Sequence, residues 1–159
     1  MPDVNRVCID CKKAAEESGA AIPKRKPALN ADGTPVPGNR CITHEREKKK
    51  RRRTSAREKR WERVYSISAE QYAAILEAQG GVCAICRRSN GRSRALSVDH
   101  DHTCCDGPVS CGKCVRAIIC RPCNDFLGWI RDEVEAGYRI AEYLKNPPAR
   151  KVLDNWKDR

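Results

Sequence analysis

Residues 83–124 read CAICRRSNGRSRALSVDHDHTCCDGPVSCGKCVRAIICRPCN. The stretch opens on Cys83 and Cys86 and closes on Cys120 and Cys123, with Asn124 directly after the last thiol. Two CxxC pairs separated by a few tens of residues are a strong zinc pattern, because each x2 turn aims two side chains at one ion. Four thiolates leave the ion no open position, so this zinc is expected to be structural. Between the pairs lies Asp99-His100-Asp101-His102, flanked by two β-prone runs, Leu96–Val98 and Val115–Ile119, which predict a hairpin. After Asn124, the spacing of Phe126, Trp129, Ile130 and Val134 predicts a helix. The order is strand, strand, helix, and the Asp/His run is expected to face Asn124 across a second, catalytic metal. In a regular strand neighbouring side chains point to opposite faces. A site using both Asp99 and His100 therefore requires a strand end or a bulge there.

The chain around this stretch has 159 residues, 33% of them charged and 5% aromatic, with a mean hydropathy of −0.72. Such a composition cannot fill a large apolar core, and small domains with thin cores rely on staples. Eleven cysteines supply them. The first residues lack the apolar run of a secretory signal, and no apolar stretch reaches membrane-spanning length. An intracellular, cytoplasmic and reducing setting is therefore expected, where Cys pairs read as metal ligands before disulfides. The net charge of +11 points to a polyanionic partner.

Residues 1–44 carry a second set, Cys8, Cys11, Cys41 and His44, predicting a second structural zinc in a knuckle or ribbon. The Pro- and Gly-rich segment between those pairs is expected to be irregular. Residues 45–64 hold eleven Lys/Arg against four Glu and favour helix. Lys48, Lys49, Lys50, Arg51, Arg52, Arg53, Arg57, Lys59 and Arg60 are the candidate DNA-backbone contacts, giving affinity without base reading. A solvated linker is the bland alternative. Ser68 to Gln71 has the form of a capping box, and Gln79-Gly80-Gly81 is expected to end the helix it starts. Tyr72, Ile75 and Leu76 on that helix should pack on the zinc-clamped unit. Four further thiols, Cys104, Cys105, Cys111 and Cys114, lie between the predicted strands, and a third zinc stands evenly against a free-thiol loop. Beyond Gly137 a second helix is expected to stop near Asn146, Pro147 and Pro148, and Trp156 lies in a tail that either packs back or mediates dimerisation.

QGGVCAIC, VDHDH and VRAIICRPCN together resemble the phage recombination endonuclease VII family, a branch of the HNH or His-Me finger nucleases. The likeness spans roughly residues 70–132 and is looser in the N-terminal Cys/His unit and the basic segment. It implies a small zinc-stabilised α+β protein with a ββα-metal core in residues 67–134. Around it would lie an N-terminal zinc unit (1–44), a basic helical linker (45–66) and a C-terminal helix and tail (135–159). It implies that Asp99 and Asn124 hold Mg²⁺ or Mn²⁺, that His100 is the general base and that His102 contacts the scissile phosphate. It also implies a branched DNA substrate, with products bearing 5′-phosphate and 3′-hydroxyl ends. Symmetric cutting of two strands would call for a homodimer. Leu127 stands where some members carry an acid three positions after the Asn, and Ala117 where Gly is common. Whether Asp101 or Asp125 joins the metal is open. The rival readings are an HNH nicking or homing-like nuclease on duplex DNA, and a non-catalytic zinc regulator that binds nucleic acid.

Overall fold

The computed structural model describes residues 7–157. They divide into two compact units, which meet in the chain between Arg60 and Trp61. That division falls inside the stretch read as a basic linker.

The first unit is built on helices α1 (Ile9–Ser18) and α2 (Ile42–Arg60). The predicted irregular segment between them is held by two isolated bridges, Pro27 to Cys41 and Leu29 to Pro35. Helix α1 was not legible in advance: Cys8 is its N-cap residue and Cys11 lies in its first turn, while a left-handed Gly19 ends it. The N-terminal zinc set thus straddles two helix starts, not the strand turns of a ribbon. Helix α2 runs through the basic segment and buries none of its residues. Its cations cover every side, as expected of a helix held for its charge and not for a core-facing stripe.

The second unit opens with a π-helical turn, Trp61–Tyr65, followed by α3 (Ala69–Ala78). The capping box is complete: the Gln71 N–H donates to Ser68 Oγ (3.2 Å) and the Ser68 N–H to Gln71 Oε1 (2.7 Å). Strands β1 (Ser97–His100) and β2 (Val115–Ile119) form an antiparallel two-stranded sheet, and α4 (Arg121–Trp129) follows directly. A sheet this small cannot stand alone. It buries Val98, Ile118 and Ile119 together with Leu96, Cys83, Cys120, Ile67 and Tyr72 in one cluster. Tyr72 stacks on Trp61 at 3.8 Å between ring centroids, and its hydroxyl donates to the Leu96 carbonyl at 3.2 Å. Gln79 stitches the end of α3 to the sheet, donating to the Ile118 carbonyl (2.7 Å) and accepting the Ile118 N–H (2.8 Å). Leu127 and Ala117, the two departures from the family pattern, are partly buried against the same cluster.

The helix after Asn124 is shorter than its apolar spacing predicts. It ends at Trp129, and Arg131 and Asp132 adopt left-handed conformations (φ 54° and 56°) before α5 begins at Val134. Phe126 and Trp129 are exposed, so the spacing marked a helical period but not a core face. Helix α5 (Val134–Lys145) ends at the Asn146 cap, and the tail forms a further helix, α6 (Pro148–Lys157). Among the described residues no helix is long and apolar enough to cross a membrane.

Candidate metal centres and active site

All eleven cysteines are free, and they gather with His44 into the three sets read from the sequence. Within each set the ligand atoms lie within 4.8 Å of one another. A tetrahedral zinc with Zn–S bonds of about 2.3 Å sets neighbouring sulfurs about 3.8 Å apart. The sulfur pairs match that edge: Cys11–Cys41 at 3.9 Å, Cys86–Cys120 at 3.7 Å, and Cys104–Cys111 and Cys111–Cys114 at 3.9 Å. In the first set His44 Nδ1 lies 3.3, 3.4 and 3.5 Å from the sulfurs of Cys8, Cys11 and Cys41. The shorter Zn–N bond contracts those edges in the same sense. A disulfide would need sulfurs about 2.05 Å apart. The donor chemistry and the edges fit zinc in all three sets.

The thiols are already polarised for this. Burial works to raise Cys8, but the backbone N–H groups at Cys41 and Cys11 and the His44 ring outweigh it and bring the thiol down to about 6. The N–H groups of Arg88 and Ser89 draw Cys86 down to about 6, and that of Lys113 with the Cys105 thiol draws Cys111 to about 7. Each set also holds a thiol pushed up to about 12: Cys11 and Cys123 chiefly by burial, Cys104 by Cys111 and Cys105. Neighbouring thiolates repel, and a dication removes that repulsion while releasing protons.

The set Cys83, Cys86, Cys120 and Cys123 sits where hairpin meets helix. Cys83 is fully buried, its sulfur accepts the Cys120 N–H at 3.3 Å, and Cys120 is the N-cap residue of α4. Pro122 at the start of α4 lacks an N–H that would be unpaired there anyway. An ion bound by this set would therefore fix the start of α4 against the ends of both strands. Asn124 is held in the first turn, its N–H donating to the Cys120 carbonyl at 3.0 Å, and α4 packs on β1.

The Asp/His run occupies the end of β1, and the ladder slips there. Asp99 pairs with Ala117 but His100 pairs with Val115, which leaves Arg116 as the extra residue of a bulge in β2. The required irregularity thus lies between the two residues in question. Both are buried, Asp99 at 7% and His100 at 6% exposure. Arg116 turns onto Asp99 as a two-pronged pair, Nε to Oδ2 at 2.8 Å and Nη2 to Oδ1 at 3.1 Å. The same Nη2 reaches Asp132 Oδ1 at 3.1 Å, so the two carboxylates lie within twice that distance of each other. Asp99 first, and Asp132 after it, hold the guanidinium firmly protonated.

His100 Nε2 lies 3.2 Å from the Gly107 carbonyl oxygen. A carbonyl only accepts, so Nε2 carries a proton, and in the neutral ring Nδ1 then keeps its lone pair. Tyr65 meets the ring edge-on at 5.9 Å, and the exposed His102 lies at 4.5 Å. Asp101 is turned elsewhere: its Oδ1 accepts the N–H (2.8 Å) and the hydroxyl (2.7 Å) of Thr103, which lowers its pKa. Asp125 pairs with Arg121 at 3.3 Å on the exposed side of α4. Arg116, Asp132, Gly107 and Tyr65 were missed from the sequence. Only Arg116 left a trace, as a cation within the apolar run Val115–Ile119.

The nine candidate DNA contacts all lie on α2, in the first unit. Arg46, Lys49, Arg53 and Arg57 recur along one of its faces, while Arg51, Arg52 and Lys59 line another.

Fold and site together define a class: a small α+β domain stapled by Cys/His metal sets, with a buried Asp/His pair at a strand end and a helix start beside it. Residues 58–146 match the recombination endonuclease VII family, and the chain belongs to that family. Two phage proteins are similar over most of their length. The "Gene 59 protein" of Mycobacterium phage D29 is 44% identical over 139 residues, covering 82% of this chain and 79% of the relative. The protein of the same name in Mycobacterium phage L5 is 42% identical over 139 residues, covering 82% and 80%. No solved structure matches the chain. Family membership makes the protein a nuclease, with DNA as its substrate class.

Proposed function

We propose that the protein is a metal-dependent endonuclease of the HNH, or His-Me finger, type, with β1, β2 and α4 as its ββα-metal core. Branched DNA is the proposed substrate. The observation that supports this most is the bulge at Arg116, which lets Asp99 and His100, neighbours in sequence, serve one buried site.

Asp99 and Asn124 are the proposed ligands of Mg²⁺ or Mn²⁺. Their side-chain oxygens are hard donors, as these ions require. A carboxylate offers about four lone-pair sites. Arg116 takes one on each Asp99 oxygen, which leaves room for an ion. The Asn124 side chain makes no hydrogen bond within the described residues, so its oxygen is available. When bound, the ion neutralises charge on the phosphate oxygens and on the leaving oxygen. His100, through Nδ1, takes the proton of the attacking water, and its Nε2–H stays on Gly107. His102, exposed and next to His100, contacts the scissile phosphate. Arg116 keeps the Asp99 carboxylate oriented. The cations of α2 hold the nucleic-acid backbone by charge. A homodimer would let two sites address two strands. The exposed Tyr138, Tyr143, Leu144 and Trp156 supply apolar surface that a second copy would cover.

The test compares a four-way junction, a nicked duplex and a linear duplex as substrates with Mg²⁺ and with Mn²⁺. Paired incisions across the junction are expected. Cutting of the linear duplex alone would favour a nicking or homing-like enzyme. Tight binding with no cleavage of any substrate would favour a regulator.

A further inference from the structure

The loop carrying Cys104, Cys105, Cys111 and Cys114 is tied to the catalytic strand more closely than an insertion needs to be. Both Cys104 and Cys105 N–H groups donate to the Asp101 carbonyl (3.3 Å each), and the Asp101 N–H donates to the Cys114 carbonyl (2.9 Å). The loop is seated at its other end too. The Ser110 N–H donates to the Val64 carbonyl at 2.7 Å, and Ser66 Oγ donates to the Ser110 carbonyl at 3.0 Å. A Cβ on Gly112 would come within 2.9 Å of the Ser66 carbonyl oxygen, so the backbones meet there with no room for a side chain. Between the two Cys pairs lies Gly107, whose carbonyl receives His100 Nε2. Nothing else among the described residues accepts that proton.

We propose that these four thiols form a third zinc site whose task is to position His100. With the loop cross-linked by the ion, the Gly107 carbonyl is fixed against Nε2, and the imidazole is locked in the tautomer and orientation that leave Nδ1 free. Without the ion those contacts hold only the two ends of the loop: Cys104 and Cys111 are exposed, and none of residues 106–109, which include Gly107, is buried. Partners behind a ligand or base commonly matter tenfold to a hundredfold. The inference rests on the reading of His100 as the general base, but the site and its effect on the ring are measurable without turnover. The exposed thiols also make this the zinc that a chelator reaches first.

The test uses the full-length protein. Elemental analysis should give three zincs per chain, and Cys104→Ser/Cys111→Ser should give two with an unchanged far-UV circular dichroism spectrum. Long-range ¹H–¹⁵N correlation of the ring should show the Nε2–H tautomer of His100 in the wild type and a mixture of tautomers in the variant. Cleavage by the variant should fall about tenfold or more in kcat with KM little changed. Gly107→Ala covers the case in which the double variant does not fold. It keeps every thiol, and its methyl would meet nothing within 4 Å, but the φ of +90° is strained for an L residue and shifts the carbonyl. It should hold three zincs and lose kcat with the same tautomer change. Two zincs in the wild type, or an unaltered His100 tautomer in a folded variant lacking the third zinc, would overturn the proposal. Full cleavage by His100→Ala would instead remove the general-base reading and leave the zinc count and tautomer result standing.

Discussion

Asp99 and Arg116 are the pair through which sequence becomes site. A buried carboxylate needs a counter-charge, and the bulge supplies one by inserting Arg116 on the partner strand. Removing it leaves Asp99 buried beside an empty prong. Arg116→Ala is expected to lose about 1–3 kcal/mol in urea unfolding, the range of a charged hydrogen-bonded pair. Added Mg²⁺ should recover part of that loss if Asp99 is an ion ligand, because the ion replaces the missing positive charge. Arg116→Lys should rescue poorly, since an ammonium cannot span both carboxylate oxygens. Indifference of the Arg116→Ala variant to Mg²⁺ would count against Asp99 as a ligand. At this scale Asp99, His100 and Asn124 were singled out because metal and base chemistry restrict residue type and spacing, and the structure buries the first two side by side. Asp132 and Gly107 were not, because a left-handed turn and a loop closure bring them in, and neither leaves a residue pattern.

Among the elements, the clearest success of sequence reading is the start of α3. Ser68 and Gln71 satisfy each other's backbone N–H groups, a purely local arrangement that needs no tertiary context. Ser68→Ala should therefore destabilise the second unit by about 0.5–2 kcal/mol, measured as a shift in urea midpoint at constant slope. The clearest failure is the far end of α4. The spacing of Phe126, Trp129, Ile130 and Val134 fits a helical period, but a period does not say whether a core covers the face. Here it does not, and the chain turns left-handed at Arg131 and Asp132 and brings Asp132 to Arg116. The hairpin itself was readable from two β-prone runs. Its bulge followed only as a requirement of the chemistry, since the strand alternation alone would separate Asp99 from His100.

For the whole molecule, stability is expected to rest on metal more than on apolar burial. The second unit's core is a two-stranded sheet and one capped helix around a four-thiolate set. Stripping zinc with a strong chelator should unfold it, and Cys120→Ser should act as a folding mutation and not as a catalytic one. Charge is expected to govern the encounter with DNA. Replacing Lys48, Lys49, Lys50, Arg51, Arg52 and Arg53 with Gln should weaken binding to every DNA alike. The slope of log affinity against log salt should become shallower by about 0.9 for each phosphate that is no longer neutralised. An effect confined to one sequence would mean that α2 reads bases. This division of labour is the one that composition predicts, because a chain so charged and so rich in Cys has few other ways to fold.

The central claim is that His100 is the base of a metal-dependent DNA cleavage. Its most direct test is single-turnover cleavage of a four-way junction by His100→Ala beside the wild type, with zinc content and DNA affinity measured on the same samples. The expected result is equal zinc, equal DNA binding and a rate lower by a factor of about 10² or more. Wild-type cleavage by a fully folded His100→Ala protein would contradict it.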